Sequence, residues 1–158
     1  IGKRAFEGTP LTQLGDLSSL TTIGDSAFYY TKLEKLGKMS RLTQIGPGAF
    51  YKTLLTQLGN MDSLTTIGGW AFQDCEHLNS VHLPNTLKNV GKDAFEGCPL
   101  GDLTVQPGIN FECRCANLTN MLRGKHNIQV EVGPIDVLGS LGDVSARVRS
   151  RPPLRTNG

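Results

Sequence analysis

Aromatic side chains are scarce in this chain: 6% of 158 residues, with one Trp, three Tyr and six Phe. A core made from such a sequence rests mostly on Leu and Ile. Charge of one sign is lacking too, with 16 Lys and Arg against 14 Asp and Glu, which excludes wholesale attraction to nucleic acid. No run of 18 apolar residues exists, so no segment reads as a membrane-spanning helix. Metal and catalytic signatures are missing as well. A structural zinc site needs four ligands, usually from paired C-x(2–4)-C motifs. Cys113-x-Cys115 is spaced more tightly than that, and no second pair accompanies it. His77, His82 and His126 fall into no catalytic spacing with Ser and Asp, and no Gly pair is followed by the Lys-Ser/Thr of a phosphate loop. Neither a cofactor nor a reaction is expected. The chain opens on Ile1 with no basic-then-apolar leader, and it reads as a segment of a longer protein.

What is present is a repeat. Ile1-Gly2-Lys3-Arg4-Ala5-Phe6 returns as Ile23 to Phe28, Ile45 to Phe50, Ile67 to Phe72 and Val90 to Phe95, with the Phe positions 22, 22, 22 and 23 residues apart. A fixed period in the twenties is the signature of a stacked architecture. Aligned on Phe, the units give further columns: Leu11, Leu33, Leu55, Leu78 and Leu100, then Leu14, Leu36, Leu58, Val81 and Leu103. Leu17, Met39 and Met61 follow, then Leu20, Leu42, Leu64 and Leu87.

Apolar residues every third position do not make a helix. Each step of three falls about 60° short of a full circle, so five of them wrap the cylinder and leave no stripe. Short extended segments joined by bends give every column one inward direction instead. A strand is expected around Leu33 to Leu36 and an extended piece over Leu42 to Ile45. Gly46 is expected to permit a turn that a side chain would obstruct, and Ala49-Phe50 to begin a one-turn helix or tight bend. A single coil cannot bury its own edge, so equivalent residues must stack into ladders.

The fourth unit, Leu78-Asn79-Ser80-Val81-His82-Leu83-Pro84-Asn85-Thr86-Leu87-Lys88-Asn89-Val90-Gly91-Lys92-Asp93-Ala94-Phe95-Glu96-Gly97-Cys98, closely resembles the BspA-type (bacterial surface antigen) leucine-rich repeat, L-x-x-V-x-L-P-x-x-L-x-x-I-G-x-x-A-F-x-x-C. The resemblance covers residues 1 to 107. It implies a leucine-rich-repeat solenoid: parallel, β-rich coils with short helical turns, α/β horseshoe-like, five coils of 22–23 residues and a C-terminal cap. It also implies an extracellular or cell-surface location and a role in adhesion or protein recognition. The first three units depart from the pattern, with Leu14-Gly15, Leu36-Gly37 and Leu58-Gly59 where the family has V-x-L-P. Their first strand is expected to be short and irregular.

Beyond the solenoid, residues 108–133 read as the cap, with strands at Ile109 to Cys115 and Ile128 to Val132 and a short helix over Ala116 to Leu122. Residues 134–158, rich in Gly, Pro and Arg and without periodicity, read as a disordered tail. Cys75 and Cys98 occupy the column of Thr9, Thr31 and Thr53. They read either as small buried column residues, with thiol pKa raised by burial, or as a disulfide between adjacent coils. A cross-link from Cys113 or Cys115 to Cys98 is a further alternative. Asn117-Leu118-Thr119 matches a glycosylation sequon that acts only in a secreted eukaryotic protein.

Since the ladders fix the inside, only outward side chains differ from coil to coil. The candidate interaction surface is Tyr29, Tyr30 and Tyr51 beside the motif Phe, with Lys35, Gln57 and His82 on the first strand. Trp70 reads first as surface or cap packing and second as a ligand-stacking residue. Two functions follow. One is a non-enzymatic scaffold that recognises a protein or other macromolecule. The other is an accessory or spacer region of a larger enzyme or signalling protein.

Overall fold

The computed structural model describes residues 1–104, 110–112, 128–132 and 145–150, with side-chain surroundings given through residue 101. Nine short strands follow in chain order: β1 (Thr22–Ile23), β2 (Gln44–Ile45), β3 (Thr66–Ile67), β4 (Ser80–His82), β5 (Asn89–Val90), β6 (Asp102–Thr104), β7 (Asn110–Glu112), β8 (Ile128–Val132) and β9 (Ser145–Ser150). The motif strands stack in parallel as β1-β2-β3-β5-β7, each Ile or Val in register with the next: Ile23, Ile45, Ile67, Val90, Phe111. One coil therefore advances the chain by one strand, as a repeat of this length requires.

The core is the set of inward columns. Ile23, Phe28, Leu33, Met39 and Leu42 are buried, as are their counterparts in the next coils. Phe6, Phe28, Phe50, Phe72 and Phe95 form a continuous stack, each ring 5.2 Å from the next and within 6° of parallel. Phe50 is fully buried, while Phe6 at the end of the stack is 38% exposed.

The bend around Phe is not helical; no helix occurs among the described residues. The reason lies in two left-handed backbone positions per coil. Two residues before Phe stand Arg4, Ser26, Gly48, Trp70 and Asp93, all with φ between 53° and 60°. Two residues after it stand Gly8, Tyr30, Lys52, Asp74 and Gly97, with φ from 52° to 75°. Left-handed residues break an α-helix of L-residues wherever they fall. Their consequence is an alternating hydrogen-bond pattern. Ala27, Tyr29 and Thr31 N–H groups donate within the turn, to Gly24, Ser26 and Phe28 carbonyls. Ser26, Phe28 and Tyr30 N–H groups donate across to Pro47, Ala49 and Tyr51 carbonyls of the next coil, at 2.8–2.9 Å. The turn edge is thus bonded at every residue from 26 to 31, and again from 48 to 53.

The motif glycine is needed for a different reason from the turn dihedral. Gly24, Gly46, Gly68 and Gly91 all have ordinary φ, but each lies against the backbone of the preceding coil. A Cβ on Gly46 would sit 2.7 Å from Asp25 N and from Gly24 C. Close approach of coils, and not a left-handed turn, excludes side chains there.

The opposite edge of the coil is less regularly hydrogen-bonded, although a Cβ on Gly37 would run into the Gly15 carbonyl there. In the early coils the first strand shrinks to isolated bridges, Gln13 to Lys35 and Gln57 to Ser80. On this edge three-residue strands appear in β4, which carries the Val81-His82-Leu83 of the family pattern, and in its partner β6. The Gly37 and Gly59 amides have no backbone acceptor among the described residues.

At the C-terminal end, β9 pairs antiparallel with both β7 and β8. The stretch expected to be an unordered tail therefore contributes a strand over Ser145–Ser150, while the rest of 134–158 lies outside the described residues. The expected helix over Ala116 to Leu122, Cys113, Cys115 and the Asn117 sequon also lie outside them.

Candidate functional site

Among the described residues, the exposed aromatic side chains gather on the turn edge, because the register stacks the variable positions beside each Phe. The column one residue after Phe holds Glu7, Tyr29, Tyr51, Gln73 and Glu96. Tyr29 and Tyr51 stack face to face, 4.7 Å apart and 9° from parallel. Tyr30, at a left-handed position and 51% exposed, leans on both, at 4.8 and 5.6 Å. Lys52 Nζ lies over the Tyr30 and Tyr51 rings at 5.4 and 5.6 Å, a cation–π arrangement. It also stands 3.9 Å from Asp74.

These contacts shift the titration of the cluster. Partial burial, then the Asp74 carboxylate beside it, pushes the Tyr51 phenol above its ordinary value. A hydrogen bond with Tyr30, and the charges of the two tyrosines, raise the Lys52 ammonium.

Next to the tyrosines a groove of about 390 Å³ opens across the coils. Three adjacent columns make its walls: Lys3, Asp25 and Pro47 three residues before Phe, Arg4 to Trp70 two before, and Tyr29 to Gln73 one after. Its depth comes from Gly48, which leaves a slot between Ser26 and Trp70. A Cβ there would lie 3.5 Å from Ser26 Oγ and 3.8 Å from Tyr29 Cδ2. Charge around the groove is paired internally, Lys3 with Asp25 at 4.0 Å and Arg4 with Glu7 at 3.4 Å.

The sequence candidates divide between two faces. Tyr29 and Tyr51 line the groove and Tyr30 leans on them. Lys35, Gln57 and His82 are exposed as expected, but they lie along the first-strand edge and take no part in the groove. Trp70, read first as packing, is 47% exposed and forms a groove wall. Lys52, Arg4 and Pro47 were passed over in the sequence. The column alignment would have found Lys52, which it sets beside Tyr30 of the preceding coil, whereas Arg4 and Pro47 have no Tyr or Trp one coil away in their columns.

Cys75 and Cys98 are both buried, and Cys75 is a free thiol, so no disulfide joins the pair. Cys75 Sγ lies 3.1 Å from the Phe50 carbonyl and 3.2 Å from Thr53 Oγ1, and Cys98 Sγ lies 3.0 Å from the Phe72 carbonyl. The expected upward shift of the Cys75 thiol is reversed: hydrogen bonding from Cys98, then from Thr53, outweighs desolvation and lowers its pKa. Among the described residues no cluster of His, Cys, Asp or Glu is suited to a metal ion.

The family model described as the BspA type leucine rich repeat region matches residues 1–120, in six copies. The chain belongs to the BspA-type leucine-rich repeat family. Six BspA-type copies exceed the five coils counted from the Phe motif. β6 and β7 continue both strand columns past the last Phe. No curated protein and no solved structure matches the chain.

Proposed function

We propose that this BspA-type solenoid is a non-enzymatic recognition scaffold that binds a protein partner at a cell surface, through its turn edge. The observation that carries the reading is the aromatic cluster there, with Tyr30 51% and Trp70 47% exposed on a backbone bonded at nearly every residue. Rigid aromatic side chains on a fixed frame are the usual anchors of protein interfaces. Family membership supports a repeat scaffold suited to protein interaction. The first-strand line of Lys35, Gln57 and His82 supplies polar contacts of mixed character, better suited to the rim of an interface than to its centre. No helix among the described residues is long and apolar enough to cross a membrane.

Proteins retained from a surface extract by immobilised wild type and by Tyr30→Ala/Tyr51→Ala test this. A defined partner lost with the pair, while the melt stays near wild type, supports the turn edge. Retention unchanged by the pair and by Lys35→Glu contradicts it and leaves the region a spacer.

A further inference from the structure

The groove over Gly48 carries an inference about the partner's chemistry, and it rests on the turn-edge reading above. We infer that this slot, between Trp70 and the Tyr29/Tyr51 stack, takes a proline-rich peptide segment in the polyproline II conformation.

The first argument is from the backbone. The N–H groups of residues 26–31 and 48–53 are all engaged, within the turn or with the next coil. A ligand cannot add here as a β-strand, because strand addition needs a row of unpaired donors and acceptors. The occupant must be one whose own backbone asks for no such ladder. Polyproline II has no internal hydrogen bonds and keeps its backbone solvated.

The second argument is from charge and ring orientation. Lys3–Asp25, Arg4–Glu7 and Lys52–Asp74 pair each charge at the groove with an opposite one, so a neutral occupant fits better than an ion. Tyr29 and Tyr51 turn their faces to each other along the stack and present ring edges outward. A slot walled by Tyr29, Tyr51 and the half-exposed Trp70 has the aromatic lining of the grooves that take proline-rich segments.

The third argument is from dimensions and exposure. Successive coils stack 5.2 Å apart along the Phe column, and Ser26 and Trp70 lie in the coils on either side of Gly48. One turn of polyproline II rises about 9 Å, so successive prolines on one side of the ligand keep pace with alternate coils. Trp70 itself holds φ 57° while remaining half exposed. That left-handed conformation belongs to the whole column, shared by Arg4, Ser26, Gly48 and Asp93; what sets Trp70 apart is a large apolar side chain left half exposed at the groove.

Trp70 is the single Trp of the chain, so its emission reports on the slot directly. Titration of the full chain with a polyproline decapeptide is expected to shift that emission and saturate. Gly48→Asn, which fills the slot with a residue tolerant of positive φ, is expected to weaken the response at least tenfold, and Lys88→Glu, at an exposed position away from the groove, to leave it unchanged. Should Gly48→Asn fail to fold, Trp70→Asn followed by amide shifts in NMR replaces it, with the same loss expected. No saturable response to the decapeptide, an equal response in the slot variant, or a response to a neutral hexasaccharide instead would overturn the inference. If the decapeptide fails while Tyr30→Ala/Tyr51→Ala still abolishes partner retention, only the peptide class falls. If both fail, the turn-edge reading falls with it.

Discussion

The two edges of each coil obey different rules. On the turn edge, every residue from 26 to 31 donates a backbone hydrogen bond, alternately within the turn and to the next coil. On the first-strand edge, isolated bridges join the first coil to the second and the third to the fourth, and the Gly37 and Gly59 amides have no backbone acceptor among the described residues. Both edges repeat with the same period. The difference shows that periodicity fixes where coils stack but not how firmly. It also explains why a binding face is better sited on the turn edge. There side chains such as Tyr30 and Trp70 stand on backbone held from both sides, so less ordering is left to occur on binding.

The largest contrast expected lies within the Phe stack. Phe50→Ala should cost about 3–5 kcal/mol, because the ring is fully buried between Phe28 and Phe72. Phe6→Ala should cost clearly less, since its ring has one neighbour and is 38% exposed. Thermal melts of the two variants check this, and equal losses would break the stacked-column account.

The glycine columns sharpen the comparison of edges. Gly46→Ala forces a Cβ against the backbone of the preceding coil and should cost about 1–3 kcal/mol. Gly59→Ala meets its nearest atom, the Gly37 carbonyl oxygen, at 3.3 Å, so the loose edge should absorb it with a smaller loss. Urea unfolding of the pair gives the difference.

A gain is expected at Trp70. Replacing it by Gly, as in the preceding coil, removes left-handed strain of about 1–2 kcal/mol. Part of that is offset by the greater freedom of Gly when unfolded. A net stabilisation of about 0.5–1 kcal/mol with loss of partner binding would mark the residue as functional; a destabilised variant would mark it as packing.

Cys75 should label slowly in the folded protein, in spite of its lowered pKa, because a fully buried sulfur limits access. Prior reduction should not change the rate at Cys75. The smallest effect is at alkaline pH. Tyr51 and Lys52 both have raised folded-state pKa values, so their contribution is present below the unfolded values and is lost as pH rises through the folded ones. Tyrosinate absorbance should show Tyr51 ionising above its ordinary value, and a partial shift back in Asp74→Asn, with burial unchanged, would assign the carboxylate's share.

Much of the fold was legible because it is written in residue identity. Ile, Ala and Phe recur at 22–23 residues, and each column proved to be a stack. The early Leu-Gly departures, too, foretold the weak first strand. Between the two expectations for the bend, a one-turn helix or a tight bend, the sequence could not choose, because the left-handed positions carry no common residue. Ser26, Gly48, Trp70 and Asp93 share a backbone conformation that each sequence position alone does not announce. The Gly46 column was legible as glycine but not in its cause, since the obstructing backbone belongs to another coil. β9 escaped notice because Ser145–Ser150 offers only Ala146 and Val148 as apolar residues, and its pairing comes from β7 and β8. The tyrosines were visible as neighbours in sequence and column. The groove was not, for it exists only where Pro47, Gly48 and Trp70 from successive turns come into register.

Amide hydrogen exchange at single-residue resolution tests the contrast between edges most directly. The Phe28, Tyr30, Phe50 and Lys52 amides each donate to a carbonyl of the next coil and should exchange only on global unfolding, with one common free energy. The Gly37 and Gly59 amides should exchange through local fluctuation, orders of magnitude faster. Equal protection at the two edges, or faster exchange at the turn, would contradict the account.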